Sequence, residues 1–296
     1  MLKLLMLNFG SQCNNRCVFC NTHKMPPAQL RLADVHDVDD LLASAQMIDI
    51  GGYGEVTCHP DFEGIIALLT AKNKPFRFAT NGTTLERWLP LLRRAPLREL
   101  RISMHSLVPE TYRQLCGADH CEQVKRGVAA LFAEPHDIDV LLVYCATSLN
   151  WPELLPTIDF AAQYDVALRW DDLTPTITYP AGLQVPDTPE HRAQVQRAYA
   201  VAASKQLRFS AFAFADRYPR DAPTAARRIQ RCRAPFDTAG IEPNGNVVPC
   251  CWNSTCMGNI REKPLRAILD GPGYADIRRC IMAGDPKYCT KCGCEL

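Results

Sequence analysis

Short apolar blocks alternate along this chain with longer stretches whose apolar residues recur every three or four positions. The blocks LLMLNF from Leu4, MIDIG ending at Gly51, FRFAT from Phe76, ELRISM from Glu99, DVLLVYC ending at Cys145 and VALRW ending at Trp170 read as buried strands. Between them FEGIIALLTAK, LERWLPLLRR, CEQVKRGVAALF and PELLPTIDFAAQY carry helical spacing. Strand and helix in regular alternation imply parallel strands joined by right-handed crossovers, so the pattern predicts an open barrel or a doubly wound sheet. In such folds the chemistry gathers at the carboxyl ends of the strands, where loops vary over a packed scaffold.

The alternation stops at LTPTITYPAGLQVPDTP, Leu173 to Pro189, which reads as a long surface connection. A helix over Glu190 to Ser204 and a strand-like LRFSAFAF follow. From Cys232 the character changes. GIEPNGNVVPCC predicts a hairpin with Asn244–Gly245 as a two-residue type I′ turn. The opening MLKLLML is too short to span a membrane and lacks a cleavage site, so it predicts a buried first strand. No internal repeat or low-complexity tract is present.

With 296 residues, a formal net charge of +1 and an ordinary charged fraction, the composition gives no sign of a nucleic-acid or membrane-surface binder. What stands out is cysteine: fifteen in all, eight of them from Cys232 onward. Without a secretion signal, a reducing cytoplasmic setting and metal ligation explain them better than disulfides.

Directly after the first strand stands CNNRCVFC, with Cys13, Cys17 and Cys20. Three thiolates are one short of a closed structural zinc site, so either a remote fourth ligand completes it or a coordination position stays open. Thiolates also hold iron–sulfur clusters. The C-x3-C-x2-C spacing with Phe19 before the last cysteine resembles the signature of the radical S-adenosylmethionine superfamily. GGYGEVTCHPDF after the second strand is similar to that family's glycine-rich motif, and ATNG at Ala79–Gly82 to its third strand end. Val56 departs from the proline that commonly follows the motif's glutamate.

The resemblance implies a partial (β/α)6 barrel over residues 1–215, a connection over 216–231 and a small cysteine-rich domain over 232–296. It implies that Cys13, Cys17 and Cys20 hold three irons of a [4Fe–4S] cluster whose open iron takes S-adenosyl-L-methionine. Reductive cleavage of that cofactor yields a 5′-deoxyadenosyl radical that removes a substrate hydrogen. Phe19, Gly51, Gly52, Gly54, Glu55, Asn81 and Ser103 are then candidates for contacts with it, the glycines letting backbone approach the methionine moiety. Arg113, Arg126 and Arg169 are candidates for its carboxylate. His59 reads instead as part of a helix start, with Asp61 near the N-cap. Cys232, Gly245 and Cys250 in C-x12-G-x4-C, followed by Cys289 and Cys292, resemble the shortened SPASM or "twitch" extension, which implies a second, auxiliary [4Fe–4S] cluster on those four cysteines. Zinc would serve four such thiolates equally well.

The resemblance leaves the outcome of the reaction open between epimerisation and dehydrogenation. Cys251, Cys145 and Cys58 are spare thiols that could return a hydrogen atom, or simply small buried side chains. Arg169, Asp171 and Asp172 beside Trp170 would suit a polar substrate, or pair with each other. Because strand one comes almost at once, a small polar molecule or a peptide presented by another protein is the expected substrate, with flavodoxin or ferredoxin as reductant. A non-catalytic electron carrier and a zinc-stabilised interaction module are the competing classes; neither requires a glycine motif after strand two.

Overall fold

The computed structural model describes residues 1–51, 53–173, 179–212, 229–251 and 253–289. Its strands are β1 (Leu2–Leu7), β2 (Ala45–Ile50), β3 (Phe76–Thr80), β4 (Leu97–Ser103), β5 (Asp139–Ala146), β6 (Ala167–Asp172), β7 (Phe209–Phe212), β8 (Thr238–Ile241), β9 (Asn246–Val248) and β10 (Gly258–Asn259). The α-helices are α1 (Val38–Ala43), α2 (Phe62–Ala71), α3 (Leu85–Leu92), α4 (Pro109–Cys116), α5 (Cys121–Phe132), α6 (Leu154–Gln163), α7 (Pro189–Ser204), α8 (Ala234–Asp237), α9 (Leu265–Leu269) and α10 (Pro272–Ala283). This is the α/β class with a parallel-strand core that the alternation predicts.

Two compact units make up the chain: Met1–Gln12 with Pro26–Arg77 and Ala215–Leu296, and Cys13–Met25 with Phe78–Phe214. In the first, β1 runs parallel to β2 with Leu7 opposite Ile50, and parallel to β8 with Leu7 opposite Ile241. β9 and β10 follow antiparallel to β8 and to each other. The cysteine-rich C-terminal region is thus built into the strands beside β1. Helix α2 forms because Phe62, Ile65, Ile66 and Leu69 share one buried stripe.

The hairpin turn differs from the type I′ expectation. That type needs positive φ at both central residues, and only Gly245 (φ 86°) has it. Pro243, whose ring fixes a negative φ, makes the first corner instead. Gly245 N–H then donates to Glu242 O at 2.8 Å and Glu242 N–H to Asn246 O at 2.8 Å, a three-residue loop closed by a left-handed glycine.

In the second unit β4, β5, β6 and β7 pair in parallel, in chain order. Period-two alternation sorts their side chains. Tyr144 and Trp170, direct partners on β5 and β6, stack at 4.9 Å in the core, so their neighbours Cys145 and Asp171 share the opposite face. Helix α4 buries Tyr112, Leu115 and Cys116 on one face within only eight residues; Pro109 starts it and Gly117 (φ 67°) ends it. Residues 174–178 of the proline-rich connection lie outside the described residues, as does the end of LRFSAFAF, whose middle four residues form β7.

Asn150, with 0% exposure, closes the ends of β4 and β5. Its amide nitrogen donates to the carbonyls of His105 (2.6 Å) and Cys145 (3.0 Å), and its oxygen accepts from the Thr147 amide (2.7 Å) and hydroxyl (2.8 Å). Asn150→Ala strands several buried polar groups at once, so the unfolding free energy should fall by about 3 kcal/mol in urea titrations. A loss below about 1 kcal/mol would show that water replaces the amide.

Candidate functional site

A helix leaves its last four carbonyls without intrahelical partners. The cysteine loop uses those of α4: Arg16 N–H donates to Cys116 O and Val18 N–H to Leu115 O, both at 2.8 Å. Buried Asn15 adds a donated bond to the Tyr112 hydroxyl (3.2 Å) and a contact with His120 Nδ1 (2.9 Å). Asn81, at the end of β3, donates to Asn14 Oδ1 (2.7 Å) and lies 3.8 Å from Cys13 Sγ. Cys13, an exposed thiol, is therefore anchored through its neighbour, and Asn81 stands beside it. A hydrogen bond to Cys116 and burial push the Cys17 thiol well above its ordinary range.

At the carboxyl ends of β4 and β5 the imidazole of His105 accepts the Cys145 amide proton at Nδ1 (3.1 Å) and meets Phe19 edge-on at 4.8 Å. Burial lowers its pKa to about 4, so the ring is neutral. The Cys145 thiol is raised far above its usual range, by burial first and then by Asp171, Cys17, Asp172 and Cys20. Ser103 ends β4 opposite Val143. The three arginines all have acidic partners: Arg169 with Asp171 (2.9 Å), Arg126 with Glu86 (3.9 Å), and Arg113 with Glu110.

In the first unit the glycine motif folds against the backbone leading to the cysteine loop. Gly51 N–H donates to Leu7 O at 3.0 Å and Glu55 N–H to Gln12 O at 2.7 Å. Gly54 has φ 68°, and a Cβ there would lie 2.3 Å from Gln12 O. Its glycine requirement therefore comes first from this backbone contact, which the sequence pattern alone did not show. Gly52 lies outside the described residues. The Glu55 carboxylate, 4% exposed, accepts from the Thr57 hydroxyl (2.6 Å) and amide (3.2 Å). A recess beside it is lined by Phe9, Gln12, Gln29, Gly51, Tyr53 and Glu55. Cys58 follows in a 3-10 turn, half-buried. Asp61 occupies the N-cap of α2 without a side-chain bond; His59 Nδ1 accepts its amide proton instead, at 3.1 Å.

Helix α10 gathers the C-terminal cysteine segments. Arg278 donates to Pro235 O (2.9 Å), three residues past Cys232, and Tyr274 to Val248 O (3.3 Å), two before Cys250. Asp276 accepts from Lys287 (2.7 Å) and the Tyr288 hydroxyl (2.6 Å), just before Cys289. These bonds, with Arg279, hold the Asp276 carboxyl well below the usual carboxylate range. Asn253 donates to Tyr288 O at 2.6 Å, tying the hairpin to the tail. Cys251 is exposed, and Cys292 lies outside the described residues. Among the described residues no three His, Cys, Asp or Glu side chains converge closely enough to hold a metal ion. The donor chemistry nevertheless suits iron–sulfur ligation: among the described residues the thiols are outside disulfides, soft, and carried on segments tied to helix ends.

A parallel α/β scaffold with a thiol loop after its first strand and a thiol-rich C-terminal region defines a thiol-rich α/β class whose cysteines suit metal ligation. Residues 7–161 match the family model of the radical SAM superfamily, and residues 232–294 that of SPASM, an iron-sulfur cluster-binding domain. The chain belongs to the radical SAM superfamily, whose cofactors here are S-adenosyl-L-methionine and two [4Fe–4S] clusters. Streptococcus suis SuiB bound to S-adenosylmethionine superposes with a TM-score of 0.70 at 15% identity, over 97% of this chain and 72% of that one. BtrN in complex with AdoMet and 2-DOIA gives 0.52 at 16%, over 96% and 88%. Curated relatives include a probable GTP 3′,8-cyclase of Thermococcus kodakarensis, 26% identical over 54% of this chain and 53% of its own, and a GTP 3′,8-cyclase of Photorhabdus laumondii, 31% identical over 44% and 42%. The chain spans about half the length of these relatives.

Replacing Cys13, Cys17 and Cys20 by alanine should abolish 5′-deoxyadenosine release while iron falls from about eight to about four per chain. Retained cleavage would remove those residues from the cofactor site. Asp276→Asn should release the tail and lower iron at the C-terminal site, leaving S-adenosylmethionine cleavage in place. Since its carboxyl is depressed, the Asp276 contribution is present above about pH 4, the unfolded carboxyl range, and is lost as pH falls further; iron retention between pH 3 and 7 measures it.

Proposed function

We propose that this enzyme abstracts hydrogen from a carbon of a polar small-molecule or peptide substrate and that Cys145 returns a hydrogen atom to that carbon, inverting it. Bound S-adenosylmethionine and its reduced cluster supply the 5′-deoxyadenosyl radical that opens the sequence. Cys13, Cys17 and Cys20 are the ligands in this reading, and Glu55, Asn81, Ser103 and Phe19 the residues that receive the cofactor.

The observation that carries the reading is the Cys145 thiol. It is the next-to-last residue of β5, on the face away from the Tyr144–Trp170 core, in the unit that holds the cysteine loop, and its surroundings keep it protonated. A protonated thiol has the hydrogen atom an inversion needs. The S–H bond breaks homolytically as the new C–H bond forms, and the thiyl radical left on Cys145 takes one electron from an external reductant such as flavodoxin or ferredoxin and one proton from solvent. Cys251 is exposed, and Cys58, half-buried like Cys145, sits in the tight turn after Glu55 rather than in the unit that holds the cysteine loop.

Dehydrogenation is the second reading. It is favoured by the C-terminal iron–sulfur domain, which could accept an electron from the carbon radical while a base takes the proton. Among the solved neighbours SuiB is bound to the precursor peptide SuiA, anSMEcpe to AdoMet and a Cp18Cys peptide, and BtrN to AdoMet and 2-DOIA.

Turnover in deuterated water separates the two. An inverting enzyme should fix one deuterium at the product carbon, and Cys145→Ala should keep 5′-deoxyadenosine formation while product drops at least a hundredfold. A product two hydrogens lighter, formed equally well by the Cys145 variant, would decide for dehydrogenation.

A further inference from the structure

We propose that His105 is the residue that positions the Cys145 thiol; this rests on the reading of Cys145 as the hydrogen-atom donor. The need for such a residue arises from where β4 stops. Its register with β5 ends at Ser103 opposite Val143, and Met104 N–H donates to Val143 O at 2.9 Å. Cys145, two residues further along, turns its own N–H and C=O to the same side, where β4 has run out. An amide and a carbonyl left there need other partners. His105 Nδ1 accepts the Cys145 N–H at 3.1 Å, and Asn150 Nδ2 donates to the Cys145 carbonyl at 3.0 Å. On the other edge the register with β6 continues past it, to Ala146 opposite Asp172. With the backbone held on both edges, the sulfur keeps only rotation about χ1, a choice among about three staggered positions.

The imidazole is itself held. The His105 carbonyl accepts from the same Asn150 amide at 2.6 Å, and the ring meets Phe19, the residue before Cys20, edge-on at 4.8 Å. Burial keeps the ring neutral, so Nδ1 stays an acceptor and the proton sits on Nε2. Asn150 cannot take over this task. Its oxygen already accepts from the Thr147 amide (2.7 Å) and hydroxyl (2.8 Å), which uses both of its lone pairs. His105, Cys145, Asn150 and Phe19 all lie in the second unit.

The reactivity of that one thiol tests the proposal. The full chain, reconstituted anaerobically, is treated with iodoacetamide, and alkylation of Cys145 is followed by peptide mass mapping. His105→Phe keeps a ring against Phe19 and removes the acceptor; His105→Asn removes the ring and offers Oδ1 close to where Nδ1 stood. Cys145 should react about tenfold or more faster in His105→Phe, because the released strand end lets the sulfur turn outward, and within about threefold of wild type in His105→Asn. Exchange of the Cys145 amide hydrogen should follow the same order. A ring that merely fills space predicts the reverse. A smaller rise in His105→Phe, or an equal one in His105→Asn, overturns the proposal. Should His105→Phe lose its iron and fail to fold, His105→Asn decides alone: a rate within about threefold of wild type supports the acceptor role, and a larger rise overturns it. Cys145→Ala in deuterated water tests the donor reading separately.

Discussion

The reactive end of this protein depends on the unmet carbonyls at the last turn of a short helix. Helix α4 ends with Leu115 and Cys116 facing the amides of Val18 and Arg16, and those two bonds shape the loop that carries Cys13, Cys17 and Cys20. Within the loop Cys20 N–H donates to Cys17 O at 3.0 Å, and the amides of Arg16 and Val18 take their partners from outside it. Here the helix solves two problems with one contact, its own orphan carbonyls and the loop's orphan amides. Asn15 and Asn81 then set the side chains relative to that backbone.

Strands and most helices were legible because their periodicities are strong and their lengths ordinary. Six strands fall where the apolar blocks place them, and the two thiol sets stand out by spacing alone. Helix α4 was not legible: its sequence PETYRQLC is polar on most faces, and its role is exercised through backbone carbonyls that no side-chain pattern records. The tightness of Gly54 was half legible. The sequence marks the glycine; only the fold shows that Gln12 O is what a Cβ would strike.

The turn at Pro243–Gly245 shows a similar limit. Asn–Gly suggests one turn type, but the preceding proline, confined to negative φ, moves the corner back one residue. That shift places Glu242 at the strand end rather than inside the ladder. Arg169 and Asp171 were equally ambiguous as substrate contacts or as a pair, and at 2.9 Å they satisfy each other.

The parallel pairing of β8 with β1 has a consequence for synthesis on the ribosome. Leu4 finds its partner Thr238 only after most of the chain has been made. Until then β1 has one edge bare, apolar and open to pairing with a neighbouring chain. Contacts this distant in sequence close slowly, since the loop must lose its entropy before the ladder repays it. The C-terminal cysteine region therefore also acts as the lock on β1, and cells that make this protein have reason to keep nascent copies apart until it arrives.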